Sequence, residues 1–98
     1  MAVDVLMNRI SAFGEAIRTL RKARGFTQEL LAEKTNLHVN YVSLVERGLS
    51  APALDTICAL ADALGLTVSE LAVEMERHAK RHPKPATNQG MDPKAKQA

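Results

Sequence analysis

Tryptophan is absent from this sequence, and its aromatic residues come down to Phe13, Phe26 and Tyr41. A hydrophobic core must therefore be assembled from Leu, Val, Ile and Ala, a set that favours packed helices over a sheet. The single cysteine, Cys58, excludes an internal disulfide framework and a cysteine-based metal cluster, and a reducing cytoplasm fits. No apolar run approaches the roughly 20 residues that a membrane-spanning helix needs, and the N-terminus lacks the basic-then-apolar plan of a signal peptide. We therefore expect a cytoplasmic protein with no membrane partner. Missing too are a phosphate-binding loop, a nucleophile beside a base and a paired acid and base, so the chain does not read as an enzyme and implies no cofactor.

What is present is a short chain with an uneven charge. Its 98 residues allow one domain, close to the size at which only about 60% of the surface of the unfolded chain is buried. The net charge of +2 hides the layout. Residues 9–50 carry seven basic and four acidic side chains, residues 51–76 five acidic and no basic ones, and residues 77–98 six basic and one acidic. A polyanion would meet the first half and the tail, with the acidic segment turned away from it.

Helical spacing of apolar residues organises most of the chain. Val3, Leu6, Met7, Ile10, Phe13, Ile17 and Leu20 place a first helix either from Asp4 to about Ala23 or, with a loose arm before it, from Ser11. Gly14 weakens the longer helix by up to about 1 kcal/mol and is less harmful in the first turn of the shorter one. Arg18, Arg21, Lys22 and Arg24 read as a solvated face. Thr27 is an N-cap, Asn36 can take the left-handed conformation that ends a helix, and a second short helix runs from Val39 to Gly48. The two are joined by a turn of about three or four residues. Leu31, Ala32, Leu37, Val42 and Val45 point inward in this pair, while Val39, Asn40, Ser43, Leu44 and Arg47 lie on the opposite side of the second helix.

A fourth helix places Leu54, Ile57, Leu60, Ala61 and Leu64 on one face, with Gly65 as its stop and Cys58 as a small, partly buried hydrophobe near that face. Thr67 and Glu70 form a capping box for a fifth helix to about Lys80. His78 and His82 have metal-ligand spacing, yet they stand in a basic stretch before Pro83 and read as a solvated helix end, so no metal is expected. Residues 83–98 hold three prolines and little apolar content, and should be disordered.

The segments IRTLRKARGFTQELLAEK, YVSLVERG, PALDTICALADALGL and SEL follow one another from Ile17 to Leu71. Their order and distances resemble those of Cro/repressor-type, or XRE-like, helix-turn-helix regulators, and the likeness extends from Phe13 to Leu71. It implies an all-α, five-helix lambda-repressor-like DNA-binding domain over residues 11–82, preceded by an arm or helix extension at 1–10 and followed by a disordered basic tail. The function it implies is sequence-specific transcription regulation, as in a repressor, by a homodimer on a palindromic operator in double-stranded DNA. The segment NLHVNYVSLVERG is similar to the controller proteins of restriction-modification systems. An antitoxin that binds a toxin through its tail is the alternative.

Carried over position by position, the resemblance makes Gln28, next to the cap Thr27, a phosphate holder, and puts Val39, Asn40 and Leu44 at base-reading positions. It also pairs Arg21 with Glu46. Asn40 can meet adenine through two hydrogen bonds, whereas Val39 and Leu44 offer apolar contact, most usefully to thymine methyl groups. Ser43 and Arg47 can add polar contacts, and Tyr41 either touches DNA or packs on the preceding helix. The sequence departs from the family at His38, where Ser or Thr is usual, at Val39, where Arg or Gln is common, and at Leu30, where a charged residue is common. His38 is the poorer cap, but its ring can accept an amide hydrogen bond or touch a phosphate. The apolar stripe of helix five, Val68, Leu71, Ala72, Met75 and Ala79, is the expected dimer surface.

Overall fold

The chain has few strand-forming stretches and many helix punctuation marks, and helices are what it forms. The computed structural model describes residues 2–81, with side chains from residue 9 to residue 80. Five helices follow one another without a strand among these residues: α1 (Ala2–Ala23), α2 (Gln28–Thr35), α3 (Val39–Glu46), α4 (Leu54–Ala63) and α5 (Val68–Arg81). Thr27 Oγ1 accepts the Leu30 N–H at 3.0 Å, and the Asn36 backbone stands in the left-handed region at φ 58°. Thr67 and Glu70 exchange reciprocal bonds of 3.1 and 2.9 Å that satisfy two orphan amides at the start of α5. Of the two forms open to the first helix, the long one is found, continuous from Ala2 for about 33 Å.

The core lies where all five helices converge. Ile17 of α1, Leu31 of α2, Val42 and Val45 of α3, Leu60 of α4, Leu64 just beyond it and Leu71 of α5 are all but fully enclosed. Burying each such side chain contributes about 1.5–3 kcal/mol, so this cluster is the main source of stability. The longest contact runs between α1 and α5; α1 also crosses α3, and α2 packs on both α3 and α4. No single helix among the described residues is long and apolar enough to cross a membrane.

Several residues sit where helical spacing alone did not put them. Leu54 is 70% exposed, because the buried residues of α4 all fall in its second half, and Cys58 is likewise exposed rather than partly buried. His78 is no solvated helix end. It is 6% exposed, with Nδ1 3.3 Å from Glu15 Oε1, because α5 continues along α1 to its last turns. The stripe expected to form a dimer surface is largely spent inside the chain: Leu71 and Ala79 are buried and Met75 is half-buried against the core, leaving Val68 and Ala72 outside. Arg24, grouped with the solvated cations, donates from Nε to the Leu64 carbonyl oxygen at 2.7 Å and so ties the end of α1 to the end of α4. His82 and the tail at 83–98 lie outside the described residues.

Gly14 is the point where α1 crosses α3, and it explains a glycine in mid-helix. A Cβ at this position would lie 2.7 Å from the Glu46 carbonyl oxygen and closer still to that of Val45. The two backbones touch because no side chain stands between them. Gly14→Ala is therefore expected to lower stability by about 1–3 kcal/mol through overpacking, although alanine is the better helix former. Urea unfolding reads the change, and a more stable variant would show that α1 and α3 separate without cost.

Candidate nucleic-acid interface

The α2–turn–α3 unit is assembled from local bonds that leave one face of α3 outside. The Leu37 N–H returns to the Ala32 carbonyl oxygen at 2.9 Å and the Asn36 N–H to that of Glu33 at 3.2 Å, closing α2 and reversing the chain within Asn36–His38. His38 then caps α3, its Nδ1 accepting the Asn40 N–H at 3.2 Å. Val42, Val45 and Glu46 face inward. Asn40, Leu44 and Arg47 are exposed on the other side, and Ser43 is half-exposed beside them.

Not every expected contact residue is equally available. Val39 and Tyr41 are half-buried and pack against the core. Arg47 Nε lies 3.2 Å from Ser43 Oγ, which draws the arginine back along its own helix and occupies the hydroxyl. Of the three positions that the resemblance assigns to base reading, Asn40 and Leu44 are exposed, Leu44 at 36%, and Val39 is half-buried. Thr27 spends its hydroxyl on the cap of α2.

What aims this face is a buried polar network at the far end of α3. Arg21 Nε donates to Glu46 Oε2 at 2.6 Å and its Nη2 to Oε1 at 3.1 Å, the pairing that the family resemblance implied. Two further bonds complete the network: Arg21 Nη1 donates to the Phe26 carbonyl oxygen at 2.9 Å, and Gln28 Nε2 to Glu46 Oε1 at 3.0 Å. The bond from Gln28 to Glu46 had no counterpart in the reading of the sequence, where the resemblance made Gln28 a phosphate holder. It leaves the second N–H of the amide and its carbonyl oxygen for other partners. Lys34 Nζ sits 5.0 Å over the Phe26 ring, adding a cation–π contact to the same corner. Among the described residues no three His, Cys, Asp or Glu side chains gather into a metal site.

The family model for the helix-turn-helix matches residues 17–71, which takes in α2, the turn, α3 and the helices that brace them. The chain belongs to the helix-turn-helix family. It is 44% identical over 61 residues to the immunity repressor protein of Bacillus phage phi105, across 62% of this chain and 42% of that one. The chain therefore spans less than half the length of that relative. Among solved structures it is similar to the restriction-modification controller protein C.AhdI from Aeromonas hydrophila, with 42% identity, a TM-score of 0.62 and coverage of 63% of this chain and 94% of that one. The clp gene regulator ClgR from Corynebacterium glutamicum superposes at a TM-score of 0.71 with 26% identity, over 81% of this chain and 85% of its own.

A buried ion pair loses more when one partner is removed than when both are replaced by apolar groups. Arg21→Met should cost about 3–5 kcal/mol, and adding Glu46→Leu should restore a large part of that loss. Chemical denaturation of the two single variants and the double variant supplies the coupling energy. A cost below about 1 kcal/mol for Arg21→Met would mean that the network is not what holds α3.

Proposed function

We propose that the protein is a sequence-specific DNA-binding transcription regulator that lays α3, with residues 39–47, in the major groove of double-stranded DNA. The observation that carries this reading is the exposed outer side of α3 in a helix-turn-helix chain, with Asn40 free in its first turn while Val42, Val45 and Glu46 anchor the inner side. Recognition helices meet base edges through such N-terminal residues. Asn40 reads adenine through its amide, and Leu44 and Val39 contribute apolar contact. Gln28, at the start of α2, holds a phosphate with the N–H that Glu46 does not use.

The regulator acts as a homodimer on a palindromic site, and its two-fold axis runs beside the α3–α4 connection. Leu49 and Leu54, 64% and 70% exposed, support this surface, with Cys58 exposed one turn further along α4. Leu54→Glu should lower the molecular mass measured by light scattering at micromolar concentration from that of a dimer to that of a monomer. An unchanged mass would move the interface elsewhere. Half-sites are expected about 10–10.5 base pairs apart, centre to centre, or a multiple of that.

Selection from random-sequence DNA by the full chain would report both binding and half-site spacing. On the duplexes so recovered, Asn40→Ala is expected to cost about 1–3 kcal/mol and to flatten preference at one symmetric position per half-site. Gln28→Ala should weaken all sequences more evenly. A uniform loss across single-base variants for Asn40→Ala, with reduced helix content, would mean that Asn40 supports the helix and does not read the operator.

A further inference from the structure

The cap of α3 is a histidine, and a ring with two nitrogens can do what a hydroxyl cannot: divide two tasks between two atoms. His38 takes the extended conformation of an N-cap, φ −73° and ψ 140°, and its Nδ1 accepts the Asn40 N–H at 3.2 Å. A neutral imidazole has one acceptor nitrogen and one N–H, so this bond puts the proton on Nε2. The side chain is exposed, and Nε2 has no partner among the described residues. It stands beside Val39 and Asn40, at the end of α3 that enters the groove.

We infer that His38 is a tautomer-locked donor to operator DNA. Its Nδ1 holds the first turn of α3, and its Nε2–H bonds an acceptor on the duplex, either a phosphate oxygen or the N7 of a purine. A group that can only donate makes no bond to the exocyclic amines of adenine or cytosine, which themselves donate. His38 therefore restricts what may lie opposite it, while the Asn40 amide two residues on can both donate and accept. The same ring bond secures the backbone amide of Asn40, so His38 is also a positioning residue for that side chain. This inference rests on the DNA-binding reading above.

Two variants separate the two atoms. Asn carries an acceptor near the place of Nδ1 and nothing at that of Nε2, while Gln carries an N–H near Nε2 and nothing at Nδ1. With a duplex that the wild-type full chain recovers from random-sequence DNA, His38→Asn should bind about tenfold more weakly or worse, with its thermal midpoint kept. Its salt dependence should stay as it was, because a neutral donor displaces no counterion. His38→Gln should keep more of the affinity and lower the midpoint by about 4–8 °C. Proton–nitrogen correlation spectra of the free protein should find the His38 proton on Nε2. Single methylphosphonate, 7-deazaguanine and 7-deazaadenine substitutions in the duplex then tell phosphate from purine N7: the one that weakens wild type but leaves His38→Asn unaffected marks the acceptor. Equal binding by His38→Asn and wild type, a proton on Nδ1, or no such substitution of either kind would overturn the inference and leave the DNA reading standing. Failure of the wild-type chain to recover any duplex would overturn both.

Discussion

A carboxylate taken out of water must be met by donors, and Glu46, the last residue of α3, is 7% exposed. The donors that meet it come from α1 and from the start of α2, while the same guanidinium bonds the turn between those helices. One acidic group therefore fixes how three helices stand to one another. An apolar contact in its place would tolerate sliding and rotation, since hydrophobic burial has no preferred direction. The two-pronged arginine contact does not, because both oxygens and the planar fork must register together. The direction in which the outer face of α3 points follows from that registration, and the bare backbone crossing at Gly14 brings α1 close enough for it to form.

Anchoring and exposure thereby fall to different residues of one short helix and its C-cap. Val42, Val45 and Glu46 attach α3 to the rest of the chain, and Asn40, Ser43, Leu44 and Arg47 face outward. The division is incomplete at Val39, which is half-buried on the core. Charge is divided differently along the chain: the acidic residues of 51–76 belong to α4 and α5, while five of the seven basic residues of 9–50, Arg9, Arg18, Arg21, Lys22 and Arg24, belong to α1 or the turn just after it.

Much of this was legible in the sequence because it depends on local chemistry. Thr27, Asn36 and the Thr67–Glu70 box act over three or four residues, and each marks the helix end it was expected to mark. What periodicity could not reveal is how far a neighbouring helix reaches. Leu54 has the right spacing for burial, but among the described residues no element covers the first turn of α4. His78 shows the opposite case: a basic stretch before a proline suggested fraying, and a long α1 lies alongside and encloses it. Gly14 looked like a weakness while only its own helix was considered. Its role became visible with the carbonyls of α3 placed against it.

The pairing of α1 with α5 joins the first helix of the described residues to their last, and this bears on how the protein is made. On the ribosome, α1 emerges with Ala12, Phe13, Ala16 and Ile17 already patterned for burial, but a large part of what covers that side is synthesised some 60 residues later. At about 5–20 residues per second the wait lasts roughly 3–12 seconds, long against helix formation or hydrophobic collapse. The helix-turn-helix is thus complete as sequence well before it can be complete as structure. A nascent chain that stalls short of Leu71 presents an amphipathic helix to whatever chaperone stands at the exit tunnel.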